Sequence, residues 1–314
     1  MRYLAYITSL FIIFITFGCA PKAVKNPEML ALSNLTVSYI RGEEFVMGTY
    51  DDKFLDKAPR TVKVSDYYID KKEVTNALYL QYMGEAAALE EPILVRKPKH
   101  INDPVLGAPE LPIVSVSHQE AKEFCHFYNK RLPTEAEWEF AAKGSTQFQK
   151  FYWGNDENPL YMNFRDSNTS WAKPVASYPP NIYGLYDMLG NVREWVDDTY
   201  EKDFYKFACS KLSRGDNCYE NPLNSDNSPF RSNRGGSFDY SKGYPATISF
   251  RFFEEVESYH DDLGFRCAAS EKEEKDRFSI DTSEYDGLRD DVDIDWMQQL
   301  NNKLAELLGV GSCE

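Results

Sequence analysis

Two short segments late in the chain carry side chains that could do chemistry. The first, RGGSFDYSKGYP over residues 234–245, places Asp239 and Tyr240 behind a double glycine, which lets a ligand approach the backbone closely. The second, ESYHDDLGF, holds Tyr259 and His260 beside two carboxylates. A histidine next to carboxylates can act as a general base. These four residues are therefore candidates for a reactive or ligand-binding surface, and a solvated turn is the alternative for the second segment.

A third segment, YDMLGNVREWVDD, has the residue types of a site for a hard cation. Asp187 and Glu194 flank a Gly-Asn turn that can aim backbone carbonyls inward. Carboxylate and carbonyl oxygens are the ligands that Ca²⁺ prefers. The alternative is that both carboxylates only cap the turn.

The N-terminus predicts export and a lipid anchor. An apolar run follows Arg2 in MRYLAYITSLFIIFITFGCAPK, and it is too short to span a bilayer comfortably. Cys19 follows Gly18 at its end, which resembles the lipobox of bacterial lipoproteins, although Phe17 is atypical there. We expect a signal peptide over residues 1–18 and a lipidated Cys19 that attaches the protein to a membrane. An uncleaved signal anchor is the alternative.

Cysteine usage agrees with an exported protein. Six cysteines are present, and lipidation of Cys19 would leave an odd number. Cys209 and Cys218 bracket a polar segment that suits a small disulfide-closed loop. Cys313 is the natural unpaired residue.

Net charge restricts the partners. The chain has 314 residues and a formal net charge of −15, which excludes a basic face for nucleic acid. An acidic surface favours cations or basic partners, with solubility alone as the alternative.

The elements that must position these residues are indicated by local pattern. Alternation around a glycine over residues 35–49 suggests a hairpin. A strand then leads to a helix with Thr75 as its N-cap. Two further helices carry capping boxes that begin at Ser117 and Thr134, and Gly144 ends the second.

The domain organisation follows from changes in composition. Residues 19–35 form a linker after the signal peptide, and residues 36–269 form the globular domain. Within it, residues 145–250 hold short apolar pieces separated by turn residues, a pattern typical of functional loops or bound ions. Residues 270–314 combine an acidic linker with an amphipathic helix, which docks on its own domain or on a partner.

Four segments in this order resemble the formylglycine-generating enzyme (sulfatase-modifying factor) family. They are GEEFVMGT, KRLPTEAEWEFAAKG, NIYGLYDMLGNVREWVDD and RGGSF with the later LGFRCA. The resemblance covers roughly residues 36–269. It implies an α+β fold, the variant of the C-type lectin fold that this family adopts, with much irregular structure.

The resemblance also implies a metal site. The family binds calcium through an Asn or Asp, two backbone carbonyls and a Glu, which correspond here to Asp187, the carbonyls of Gly190 and Val192, and Glu194. A second calcium site of the family would begin at Asn163, but its later ligands do not align with this sequence.

Family members often join the positions of Cys125 and Cys267 by a disulfide. The same bond is therefore implied here, with two buried thiols as the alternative.

The reactive residues of the family are missing. Its enzymes place a copper-binding cysteine pair after the GGS-aromatic motif, and the corresponding positions fall at about Tyr240 and Pro245. No cysteine lies between residues 219 and 266, so we expect no copper site. A related iron-dependent branch takes histidine ligands largely from a helical bundle that this sequence lacks, and the four histidines show no ligand spacing. We therefore expect no iron.

These observations favour a non-catalytic, calcium-stabilised binding or scaffold protein, anchored by lipid in the cell envelope. The outer membrane, facing the periplasm or the exterior, is the expected location. Lipoproteins with this degenerate domain resemble components of gliding motility and type IX secretion, so an envelope protein is the expected partner. The alternative is an enzyme with another chemistry in the same cleft.

Overall fold

The computed structural model describes residues 37–50, 59–89, 93, 95–146, 148–164, 171–202, 220–225, 228–239 and 246–270. The predictions for the signal peptide, Cys19, the Cys209–Cys218 loop, Tyr240 and the C-terminal helix lie outside these residues. None of the described helices has the length and apolar character needed to cross a membrane.

The described residues form short strands and three helices. In chain order they are β1 (Val37–Ile40), β2 (Glu44–Met47), β3 (Arg60–Lys63), β4 (Tyr67–Asp70), α1 (Asn76–Ala87), α2 (His118–Phe127), α3 (Glu135–Lys143), β5 (Arg193–Thr199), β6 (Phe230–Arg234), β7 (Phe252–Glu255), β8 (Leu263–Phe265) and β9 (Ala268–Ser270). The described residues between α3 and β5 contain no helix or strand. This composition agrees with the predicted α+β class.

Three small sheets organise the domain. One has the order β1-β4-β9, the second pairs β2 with β3, and the third has the order β7-β6-β5-β8. All neighbours are antiparallel except β5 and β8, which run parallel. Helix α3 contacts β2, β5 and β6, so it lies between two of the sheets. Its Trp138 and the Trp195 of β5 are fully buried in the core.

The predicted hairpin over residues 35–49 is wrong. Strand β1 pairs with β4, whereas β2 pairs with β3 in a different sheet. The reason is a close crossing at Gly42, where an added Cβ would lie 2.1 Å from the Val64 carbonyl oxygen. The glycine serves this non-local approach rather than a tight turn, and the local pattern does not distinguish the two cases.

The helix starts agree with the sequence prediction because caps are local. The Thr75 hydroxyl accepts from the Leu78 amide at 3.2 Å. Complete capping boxes begin α2 and α3, at Ser117 and Thr134. Gly144 ends α3 with φ of +59°.

The disulfide implied by the family resemblance is confirmed. Cys125 of α2 is bonded to Cys267, between β8 and β9, across a sequence separation of 142 residues. Closing a loop of that length contributes about 4–5 kcal/mol in the chain-entropy model, since it restricts the unfolded chain.

His118 begins α2 in a buried position. Its Nε2 lies 3.0 Å from the Val196 carbonyl oxygen, which can only accept, so the neutral ring carries its proton on Nε2. Burial lowers the pKa of His118 to about 4, against the favourable charge of Asp197. Between about pH 6.5 and 4, His118 is therefore protonated in the unfolded chain but neutral in the folded protein.

We expect acid to destabilise the fold through His118. Stability falls as the pH drops from about 6.5 to 4, by about 3 kcal/mol from this group. In His118→Gln, which keeps an amide donor for Val196, that contribution disappears. Urea unfolding of both proteins at pH 7.5 and 4.5 measures it. Equal pH dependence in the two proteins would contradict the assignment.

Candidate functional site

A surface cleft of about 760 Å³ brings the predicted binding residues together. Asp239, Tyr259 and His260 all line it, although about twenty residues separate the first from the other two. The volume is in the range of pockets that enclose a small molecule or a few side chains of a partner. Tyr240, the fourth predicted residue, lies outside the described part of the chain.

Aromatic side chains form two parts of the cleft lining, the Trp171–Phe238 wall and the Tyr259 wall. Trp171 and Phe238 contact each other with ring centroids 5.4 Å apart. Tyr259 is 45% exposed and rests on the Arg96 guanidinium, 4.1 Å from its ring centroid. Arg96 is held in turn by Glu120, at 2.6 and 2.9 Å. Since Glu120 also completes the capping box of α2, the start of that helix fixes the Tyr259 wall.

A carboxylate with a strongly lowered pKa lies on the cleft lining. Asp261 accepts from the Ser115 hydroxyl at 2.6 Å and pairs with Lys99 Nζ at 2.8 Å, and His100 Nε2 lies 3.2 Å away. Partial burial acts to raise the pKa of Asp261, but hydrogen bonds from Lys99, Ser115 and His100 outweigh it and hold it at about 2. Ser115 has φ of +58°, a strained conformation for serine. The carboxylate is therefore charged at any physiological pH.

His260 is not presented as a general base. Its Nε2 lies 3.1 Å from a carboxylate oxygen of Glu254, and that nitrogen is buried. The other Glu254 oxygen accepts from Arg193 at 2.9 Å. The segment is a solvated turn only in part, because Tyr259 is 45% exposed whereas Asp262 is buried between Arg193 and Ser237.

The lining therefore suits binding better than reaction. The Ser115 hydroxyl donates to Asp261 rather than to a histidine, so it is not activated as a nucleophile. Charged groups in the cleft are instead held by ion pairs that fix its shape.

The predicted calcium segment forms a tight turn, the cation loop, which we define as residues 187–194. Asp187, Gly190 and Asn191 all have positive φ, between +53° and +78°. An added Cβ at Gly190 would lie 2.7 Å from the Asn163 carbonyl oxygen, so only glycine fits there.

Glu194, at the end of the cation loop, is engaged by protein donors. Its two oxygens accept from Arg266 at 2.6 and 2.7 Å, and one also accepts from the Trp138 indole at 2.8 Å. It is fully buried. Its capacity for a cation is therefore reduced relative to a free carboxylate.

Two other buried carboxylates have more capacity to bind a cation. Asp187 is buried and accepts from the Ala176 amide at 2.6 Å. That hydrogen bond acts to lower its pKa, but burial outweighs it and raises the pKa to about 6. Glu73 accepts from Asn191 through one oxygen, while the other is buried without a hydrogen bond. Burial, followed by the negative charge of Asp187, raises the pKa of Glu73 well above its usual value.

These residues fit a hard cation in chemistry. The orphaned Glu73 oxygen and the raised pKa values of Glu73 and Asp187 show that burial penalises the charged carboxylates, and a divalent cation would stabilise their charged forms. No three His, Cys, Asp or Glu side chains in the described residues are arranged to hold one metal ion. A site here would therefore depend on backbone carbonyls, as the family resemblance implies for Gly190 and Val192.

Sequence reasoning missed Glu73. It lies in the charged run DKKEV directly before α1, and nothing in that sequence pattern distinguishes it from an exposed carboxylate.

Comparison with known proteins identifies the family. Residues 23–271 match the family described as the sulfatase-modifying factor enzyme 1-like domain. The chain belongs to this family. Mouse formylglycine-generating enzyme is 30% identical over 310 residues, covering 80% of this chain and 78% of the relative.

A second relative and one solved structure extend this result. Mouse inactive C-alpha-formylglycine-generating enzyme 2 is 35% identical over 176 residues, covering 51% of this chain and 50% of the relative. The structure of Treponema denticola variable protein 1 matches with a TM-score of 0.57 at 24% identity, covering 74% of this chain and 94% of that one. The fold is thus the family's variant of the C-type lectin fold, as the resemblance implied.

Proposed function

We propose that this chain is a non-catalytic binding or scaffold protein that holds an envelope partner in the aromatic cleft. One observation carries the proposal. Asp239 lines the cleft, and the residues that follow it in sequence correspond to the positions of the cysteine pair in the family's enzymes, yet no cysteine lies between residues 219 and 266. The copper-dependent oxidation of a substrate cysteine needs those thiolates.

The cleft chemistry supports a protein partner. Tyr259 and Trp171 offer large aromatic contact area, a feature of residues that dominate binding energy at interfaces. The net charge of −15 favours a partner with a basic face, because opposite charges steer association. One relative is itself named as an inactive member of the family, which agrees with a non-catalytic use of this domain.

The location is part of the same proposal. A lipid on Cys19 would anchor the chain, most simply at the outer membrane, because Ala20 rather than aspartate follows the cysteine. A gliding-motility or type IX secretion assembly is the proposed setting. The Cys209–Cys218 disulfide belongs to the same oxidising environment.

We expect recovery of an envelope partner to depend on Tyr259. Pull-down from detergent-solubilised envelope should yield one partner in stoichiometric amount, and Tyr259→Ala should reduce recovery about tenfold, since removing an aromatic anchor costs over 1 kcal/mol. Tyr39→Ala is the matched control, because Tyr39 is 43% exposed and outside the cleft.

Two results would count against this function. Equal recovery with Tyr259→Ala and Tyr39→Ala would remove the cleft from the interface. Near-stoichiometric copper or iron in the purified protein, with no partner recovered, would favour an enzyme instead.

We further propose that calcium stabilises the domain through the cation loop. Asp187, the carbonyls of Gly190 and Val192, and Glu194 are the ligands that the family implies, and Glu73 adds a buried carboxylate beside them. Bound calcium would hold the loop closed and neutralise its charge.

Calcium should raise the melting temperature, and a chelator should lower it. At 100 times the dissociation constant the gain is about 2.7 kcal/mol, or about 5–10 °C for a domain of this size. Asp187→Ala, which removes the ligand oxygens, should abolish the response. Asp103→Ala is the control, because Asp103 also accepts backbone amides but is exposed and lies outside the cation loop. A melting temperature that changes with neither calcium nor chelator would refute the proposed calcium site.

A further inference from the structure

The cation loop and the cleft are joined by backbone hydrogen bonds. The Gly190 amide donates to the Gly235 carbonyl at 3.0 Å, and the Phe238 amide donates to the Asn191 carbonyl at 2.9 Å. Phe238 belongs to one aromatic wall of the cleft. That part of the wall therefore depends directly on the backbone position of residue 191.

The side chain of Asn191 holds the neighbouring part of the same wall. Its Oδ1 accepts from the Lys173 amide at 2.9 Å, and its Nδ2 lies 3.3 Å from the Lys173 carbonyl. Asn163 reinforces this arrangement, because its side-chain Nδ2 donates both to Asn191 Oδ1, at 3.3 Å, and to the Trp171 carbonyl, at 3.1 Å. The segment that carries Trp171 is thus fixed to Asn191 as well.

The same side chain reaches the uncompensated charge. Asn191 Nδ2 donates to Glu73 at 2.9 Å, and Glu73 feels the charge of Asp187. Asn191 is almost completely buried and has φ of +55°. One residue therefore contacts the carboxylate beside the cation loop and both segments of the aromatic wall.

Peptide geometry links these contacts to cation binding. The Gly190 carbonyl and the Asn191 amide share one planar peptide unit and point in opposite directions. The Asn191 amide donates to the Asn163 carbonyl at 2.9 Å, which orients the Gly190 carbonyl away from Asn163. A cation that fixes this carbonyl must also fix the orientation of Asn191.

We propose that Asn191 is a positioning residue that couples calcium occupancy of the cation loop to the geometry of the Trp171–Phe238 wall. The inference rests on the calcium site and the cleft of the proposed function. By linkage, a partner that requires the ordered wall would bind more tightly with calcium, and calcium more tightly with the partner. The cation loop then regulates the binding cleft as well as stabilising the fold.

Hydrogen exchange in the full chain tests the coupling, with calcium alone as the probe. The Lys173 amide reports the side-chain contact of Asn191, and the Phe238 amide reports its backbone contact. Calcium should slow exchange of both about tenfold or more. In Asn191→Gly, which permits the positive φ, the calcium response of Lys173 should be lost while that of Phe238 remains, because only the first bond needs the side chain.

A matched control removes another asparagine of the same kind. Asn221 has φ of +48°, and its side chain bonds to the Ser65 amide and hydroxyl at 2.7 and 2.8 Å, away from the cleft lining. Asn221→Gly should keep both calcium responses. Calorimetric titration of calcium accompanies each measurement, so that binding and coupling are read separately.

Three results would overturn the proposal. Calcium binding without slower exchange at Lys173 and Phe238 would refute the coupling and leave the calcium site standing. No calcium binding would refute both. A Lys173 response that survives in Asn191→Gly would remove the role of the side chain. If Asn191→Gly does not fold, the wild-type exchange alone still decides whether the wall responds.

Discussion

The buried pair of Arg266 and Glu194 is the interaction on which the rest of the domain depends. Arg266 lies between β8 and β9, Glu194 lies in β5, and Trp138 of α3 donates to the same carboxylate. Arg266 also donates to the carbonyls of Asp70, at the end of β4, and Tyr186. The pair therefore joins two sheets, a helix and the cation loop. Removing either charge would leave its partner buried and unpaired in the core, which costs about 3–5 kcal/mol.

That pair explains why the functional segments lie where they do. Glu194 is opposite Arg234 in the β5–β6 pairing, so fixing β5 also fixes the chain that continues into the cleft. Arg234 is itself anchored by Glu135 and Glu139 of α3. The cation loop ends in the first two residues of β5, and the Phe238 segment follows β6. The pairing of β5 with β6 therefore brings the two segments close together, and backbone hydrogen bonds join them.

The limits of sequence reasoning follow from the range of each interaction. Helix starts at Ser117 and Thr134 were predictable, because a cap needs only residues within one turn. The Cys125–Cys267 bond was predictable only by family resemblance, since spacing does not determine pairing. The hairpin failed at Gly42, whose role depends on a distant strand. For the same reason, the sequence did not distinguish Glu73 and Asp262 from exposed carboxylates. Burial of a carboxylate depends on partners far away in the chain.

Loss of the cysteine pair need not change the shape of the cleft, because other residues hold it. Tyr259 is held by Arg96 and Glu120, and Phe238 by the Asn191 carbonyl, none of which belongs to the segment that carries the family's thiolates. Copper chemistry needs two soft ligands at fixed positions, whereas binding needs only walls and charges that stay in place. In the proposed function, a cleft without the cysteines lacks the copper chemistry and serves as a recognition surface. A domain whose cleft is supported from outside its reactive loop can lose catalysis in this way without losing its fold.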